Sequence, residues 1–344
     1  MANETSTSDA KPLTRDAILG YLRAEHADEL FARADEVRRT ACGDSVYIRG
    51  IIEFSNCCAR RCLYCGLRSE NQQAERYRMK PEEILSAAQA VVDRGIFTLV
   101  LQSGDDAAYT REMLCGLVRE LKRRFPPVAI TLSVGERPLD DYAAFKDAGA
   151  DRYLIKHETI NRSLYARLHP GQSWDERMLI LWRLREHGFQ VGTGCMVGLP
   201  GQTMDDLADE IEFFASFQPD MAGIGPFLPQ ADTPLAAEPA GNGLLVLKMV
   251  ALTRLVTRNA HLPVTTALAS LDPVEGQVMG LRAGANVIMI NGTPDVYRTR
   301  YRIYDHKKRV GLDEAFDAIR QAGRTASGAR GDSLKPAVNR RSVS

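Results

Sequence analysis

Residues 145–158 read FKDAGADRYLIKHE. The stretch is the end of an amphipathic helix, a glycine, and a short apolar strand that runs into charge. The unit recurs as VVDRGIFTLVLQSG at 91–104, LREHGFQVGTGCMVG at 184–198 and LRAGANVIMING at 281–292. In each copy the glycine (Gly95, Gly149, Gly188, Gly284) stands where a helix ends in a left-handed residue before the chain turns into a strand. Outward from these units, further strands are expected at 47–54, 128–133, 221–225 and 263–266. Helices are expected over 81–94, 109–124, 139–148, 174–187, 203–217, 244–256, 273–283 and 312–322. Eight strands thus alternate with eight helices. Apolar strands in strict alternation pair in parallel under a helical cover, and eight units close a barrel. The expected fold class is α/β, a (β/α)8 TIM-type barrel over residues 46–322; a doubly wound open sheet is the alternative.

Residues 14–45 carry a helical pattern, an N-terminal extension expected to cover the bottom of the barrel. Residues 1–13 are polar and expected to be disordered. From Gly323 the chain reads GRTASGARGDSLKPAVNRRSVS. It has almost no bulky apolar group with which to offset its ordering entropy, so 323–344 is expected to be a disordered tail. The 44 basic side chains balance the 44 acidic ones, and the isoelectric point is near 7.0. That balance gives no electrostatic reason to expect a nucleic acid or an anionic membrane as partner. The N-terminus lacks an apolar signal region, and no stretch approaches the roughly 18 apolar residues of a membrane span. A cytoplasmic protein is expected.

Three of the seven cysteines lie within eight residues, Cys58-Ala59-Arg60-Arg61-Cys62-Leu63-Tyr64-Cys65, directly after the first strand. Three thiolates from one loop can hold three irons of a [4Fe–4S] cube and leave the fourth iron open for chemistry. A closed zinc or iron–sulfur site needs a fourth ligand nearby. Between Glu53 and Glu82 there is no histidine, and the only other cysteine is Cys57, whose thiol cannot easily face the same metal as its neighbour Cys58.

This spacing, on the loop after strand one of a barrel, resembles the radical S-adenosylmethionine (SAM) superfamily. Further segments narrow the resemblance: IIEFSN (51–56), CLYCGLRSEN (62–71), RYRM (76–79), VLQSG (100–104), HET (157–159), MVGLPGQT (196–203), GIGPF (223–227), LKMVALTR (247–254), TTA (265–267) and GANVIM (284–289). Together they are similar to the HydE family of [FeFe]-hydrogenase maturases, related to methylornithine synthase and biotin synthase. The resemblance implies one [4Fe–4S] cluster held by Cys58, Cys62 and Cys65, with SAM on the open iron and reductive cleavage to a 5′-deoxyadenosyl radical. It implies a role in building the binuclear subcluster of the hydrogenase active site from a small organometallic or amino-acid-derived substrate. An electron donor such as flavodoxin or ferredoxin, and other hydrogenase maturases, are the implied partners. Two alternatives stand beside it: an amino-acid mutase resembling methylornithine synthase, and a non-catalytic iron–sulfur carrier.

Barrel enzymes place their chemistry at the C-terminal ends of strands. By resemblance Tyr64 lies near the adenine of SAM, Gln102 and Ser103 lie where its amino group is held, Glu158 binds its ribose or methionine end, Arg177 pairs with its carboxylate, and Tyr301, with Tyr304, closes the pocket. The chain departs from the family in carrying Asp105 for the usual Glu and Lys156 for the usual Arg. His157 reads as a satisfied barrel-top histidine. Thr131, Met221, Thr265, Thr266 and Met289 are expected to line a substrate cavity, because a purely structural barrel would carry branched aliphatic residues in those layers. The segment after strand eight, YRTRYRIYDHKKRVGLDE, has no cysteine, so a second cluster is not expected there.

Overall fold

The computed structural model describes residues 13–335. Helices α1 (Arg15–Arg23) and α2 (Asp28–Cys42) precede eight strands: β1 (Ser45–Ser55), β2 (Thr98–Ser103), β3 (Ala129–Ser133), β4 (Arg152–Leu154), β5 (Gln190–Thr193), β6 (Met221–Ala222), β7 (Pro263–Val264) and β8 (Val287–Asn291). All pair in parallel, in the order β6-β5-β4-β3-β2-β1-β8-β7. A bridge between Met221 and His261 brings the two ends together. The sheet is therefore a nearly closed barrel, and the open-sheet alternative falls away.

Around it run α3 (Pro81–Val92), α4 (Arg111–Arg124), α5 (Leu139–Asp147), α6 (Arg162–Leu168), α7 (Trp174–Glu186), α8 (Met204–Phe217), α9 (Gly243–Thr257), α10 (Thr266–Leu271), α11 (Gly276–Arg282), α12 (Asp295–Arg298) and α13 (Leu312–Gln321). The four repeat glycines have φ of 76°, 107°, 73° and 105°, the left-handed turn that only glycine adopts without strain. Strand residues alternate faces. Ile52, Leu99, Leu101, Ile130 and Leu132 point outward and are fully buried. Inward, near the top of the barrel, Glu53, Gln102 and Ser133 face a cavity.

Several expectations need correction. The strand expected at 221–225 breaks after Ala222, and Gly225–Pro226 pairs instead with Met196–Val197 in a separate two-stranded sheet. The helix expected at 273–283 is α11, shortened by an Asp272 turn whose carboxylate accepts from the amides of Val274 and Glu275. The strand expected at 263–266 stops at Val264 because Thr265 caps α10. Helix α6 had no counterpart in the sequence reading.

The N-terminal helices do not cover the barrel bottom. They lie on its flank against α8 and α9, where Lys248 donates to the Leu22 carbonyl at 3.2 Å and Arg15 meets Asp209 at 2.5 Å. Residues 323–335, expected to belong to a disordered tail, close the bottom instead. Thr325–Ser327 pairs in parallel with the start of β1. The chain then crosses beneath the strands, where Arg152 donates to the carbonyls of Arg330 and Gly331 at 2.7 and 3.0 Å and to the Asp332 carboxylate at 2.9 Å. His261 donates to the Asp332 carbonyl at 2.9 Å. The segment buries little apolar surface; it is ordered by buried donors that need acceptors. The expected disorder of 1–13 and of 336–344 lies outside the described residues, apart from Leu13.

Candidate active site

A cavity of about 380 Å³ opens at the C-terminal ends of the strands. Cys58, Cys62 and Cys65 all line it; none is in a disulfide. The cysteine loop sits tight on β2: a side chain at Gly104 would meet the Cys57 carbonyl at 2.3 Å and Cys58 Cβ at 2.6 Å. Cys57 turns its thiol toward the Tyr77 carbonyl at 3.7 Å and does not line the cavity.

The donor set suits a cube. Burial pushes all three thiols above their ordinary value, Cys62 to about 11. A bound iron cation would supply the positive charge that favours their thiolate forms. N–H groups already point at all three sulfurs: the Arg60 amide at Cys58 Sγ, 3.4 Å, Gln172 Nε2 at Cys62 Sγ, 3.3 Å, and the Leu67 amide at Cys65. Among the described residues no group of three or more His, Cys, Asp or Glu is placed to hold one metal ion, a convergence that a cube binding each thiolate to a different iron does not require.

Beside the cysteines lies a set of alternating charges. Arg60 pairs with Asp105 and lies 2.8 Å from Glu136; Arg177 donates to Glu136 at 2.7 Å and to the Lys156 carbonyl. Asp105 is drawn up by burial, against the pull of Arg60. Gly135, at φ 73°, leaves room for that carboxylate, since a Cβ there would fall 1.6 Å from Asp105 Oδ1. Glu158 holds φ 65°, an uncommon conformation for a non-glycine residue. Its backbone is clamped by Gly194 and Met196, each at 3.0 Å. Burial pushes its carboxyl up, but Lys156, 3.0 Å away, brings it below the ordinary range. That ion pair is the contact of the buried Oε2, which has no other polar partner among the described residues. A carboxylate on a left-handed residue at the cavity wall, held by a single lysine, is suited to a ligand contact.

Tyr64 donates its hydroxyl to His169 Nε2 at 2.7 Å. The direction follows because the other ring nitrogen gives its proton to the Tyr165 carbonyl at 2.9 Å. Burial holds His169 down to about 4, keeping it neutral. Gln102 donates to the Tyr301 hydroxyl at 3.0 Å, and Ser103, Tyr304, Met221, Thr265, Thr266 and Met289 also line the cavity. Thr131 does not. It is fully buried two residues below Ser133 on the same face, its hydroxyl without a partner. The Thr265 hydroxyl is engaged by the Leu268 amide at 3.3 Å. His157 lies away from the cavity between Thr193 and Glu210, at 2.8 and 2.7 Å.

Sequence reasoning missed Arg60, Glu136, His169, Gln172, Glu53 and Lys307, all at or beside the cavity. Lys307 pairs with the buried Glu53. The turn His169-Pro170-Gly171-Gln172 was the one signal available for two of them.

The Radical SAM superfamily profile matches residues 52–214. The [FeFe] hydrogenase maturase subunit HydE of Thermotoga maritima is 50% identical over 280 residues, 81% of this chain and 80% of that protein. The 3-methylornithine synthase of Methanosarcina acetivorans is 28% identical over 79% of this chain and 77% of its own. Among solved structures, methylornithine synthase superposes with a TM-score of 0.83 at 24% identity, covering 92% of this chain and 95% of that one. That likeness concerns the fold.

Proposed function

Because this chain belongs to the HydE family of radical SAM maturases of [FeFe]-hydrogenase, we propose that its cavity binds a [4Fe–4S] cluster through Cys58, Cys62 and Cys65 with SAM beside it, and acts on a small organometallic or amino-acid-derived substrate during assembly of the hydrogenase's binuclear subcluster. When bound, the cluster supplies the electron that reductively cleaves SAM. The remaining work falls to the chain. Arg177 offers a planar, permanently charged fork suited to the SAM carboxylate, and Glu136 holds that fork in place at 2.7 Å. The Glu158 carboxylate, at the cavity wall beside Lys156, can accept a hydroxyl. Tyr64, tied to neutral His169, forms an apolar wall beside the cysteines.

Thr265, Thr266, Met221 and Met289 line the substrate end and leave hydroxyl and thioether groups in contact with it. Tyr301 and Gln102 bridge its mouth, and the enclosure keeps bulk water from reactive species. Electrons are proposed to come from a flavodoxin- or ferredoxin-type donor, with other maturases making or receiving the small molecule.

The observation that carries this reading is the convergence on one cavity of three unpaired cysteines, the strained Glu158 and the anchored Arg177, in a chain half identical to a HydE. Anaerobic reconstitution tests it. About four irons per chain are expected, together with dithionite-dependent release of 5′-deoxyadenosine from SAM. Cys58→Ala, Cys62→Ala or Cys65→Ala should abolish both, whereas Cys57→Ala should keep both. Full iron content and turnover in any of the first three would end the proposal.

A further inference from the structure

The turn between α6 and α7 places Gln172 between two groups of different purpose. Its Nε2 donates to Cys62 Sγ at 3.3 Å, and its Oε1 accepts from Arg177 Nη2 at 3.3 Å. The amide cannot be reversed. A guanidinium has only donors, so it takes the carbonyl oxygen, and the NH2 end is left for sulfur. Both ends are held, since Arg177 is fixed by Glu136 and the Lys156 carbonyl, and the backbone N–H of Gln172 donates to the His169 carbonyl at 3.0 Å. Cys62 is the only one of the three cavity cysteines to receive a side-chain donor among the described residues; Cys58 and Cys65 receive backbone amides.

From this geometry we propose that Gln172 is a positioning residue that sets the reduction potential of the cluster through its N–H···S bond to Cys62, and that it ties this ligand mechanically to Arg177. The inference rests on the reading of Cys58, Cys62 and Cys65 as cluster ligands. Reduction adds negative charge that spreads onto the ligand sulfurs, and a donor aimed at one of them favours the reduced state. Arg177 offers its guanidinium to Gln172 Oε1, so whatever engages Arg177 also acts on the amide that faces the sulfur.

The test is a redox titration of the reconstituted full-length protein, followed by the EPR signal of the reduced cluster. A donor that binds the reduced cluster about fivefold more favourably than the oxidised one raises the potential by about 40 mV for one electron. Gln172→Leu, which loses the donor, should keep about four irons per chain and titrate at a more negative potential by that amount. Gln172→Glu keeps an oxygen for Arg177, has no N–H for Cys62 and adds a negative charge; it should lie further negative still. If the leucine variant does not load iron, Gln172→Met, equally neutral and without an N–H, carries the test in its place.

Wild-type potential in both variants overturns the proposal. A shift in the glutamate variant alone also overturns it, because charge and not the donor would then be responsible. Iron loss in both makes Gln172 a structural residue and does the same. A wild-type protein that binds no cluster defeats the ligand reading itself, before any variant is titrated.

Discussion

Arg177 is nearly buried, and its nitrogens are shared among Glu136, Gln172 and the Lys156 carbonyl. A guanidinium held this way is preorganised, so its contact with a carboxylate costs little ordering. Such a charge-assisted bond is worth about 1.5–3 kcal/mol, roughly ten- to a hundredfold in affinity. Arg177→Met is therefore expected to load iron normally while SAM binding, read by equilibrium dialysis, weakens by that factor; unchanged affinity would leave Arg177 a purely structural role. The residues that announce themselves in sequence are those whose type is improbable by chance, three cysteines in eight positions and a charged cluster ending an apolar strand. Glu136 and Gln172 carry no such signature. They are ordinary polar residues on loops, and their importance lies in what the fold brings within 3.3 Å of them. Thr131 failed in the opposite sense, because a threonine in a strand is legible as inward-facing but its depth below the cavity is not.

At the scale of elements, the segment from Gly328 to Ser333 is where composition misled most. Its polar residues look like solvated chain, yet they are acceptors for Arg152, Gln190, Thr98 and His261 at the strand starts. Asp332 accepts from Arg152, Gln190 and Arg330. It is also 43% exposed, so solvent screens part of the pair's attraction. Asp332→Ala should lower unfolding free energy by about 1–2 kcal/mol in urea titrations, with no change in the slope that reports exposed surface.

His261 couples the same region to pH. Burial, with Arg49 nearby, holds its imidazole down to about 3. Between pH 6.5 and 3 the unfolded chain accepts a proton that the folded chain refuses, so stability is complete above 6.5 and is lost as pH falls. The loss from this residue approaches about 1.4 kcal/mol per pH unit. His169, also held low, adds a similar slope, so the comparison must be with His261→Asn, whose stability should fall less steeply between pH 6 and 4.5. Parallel slopes would show that His261 titrates normally in the fold.

In the whole molecule the barrel has one weak seam. Strands β1 to β5 share continuous ladders, whereas β6 and β7 are joined by the bonds of Ala222 to His261 and of His261 to Asp220, at 3.0 and 2.9 Å. Amides along this seam should exchange with deuterium well before those of Leu99–Leu101 or Ile130–Leu132 in mass-spectrometric labelling. Uniform protection around the ring would refute a preferred opening line. The alternation of helix and strand made the barrel legible, because a recurring unit of helix, glycine hinge and apolar strand admits few folds. The seam was not legible, since strand length depends on where caps such as Thr265 interrupt pairing.

The pairing of Thr325–Ser327 with Ser45–Tyr47 bears on how the chain is made. Strand β1 is made before the other strands of the barrel, yet one flank waits for residues 287–291 and its foot for residues 325–327. Throughout most of synthesis the nascent protein therefore carries an apolar strand with unpaired backbone, a template for mispairing between neighbouring chains. The cysteine loop that follows β1 waits with it, since the segment that packs on it, with Gly66 donating to the Ile303 carbonyl at 3.0 Å, is also made late. Iron delivered before residues 287–327 have emerged would meet thiols without their surroundings, so a cluster would be loaded onto the closed barrel.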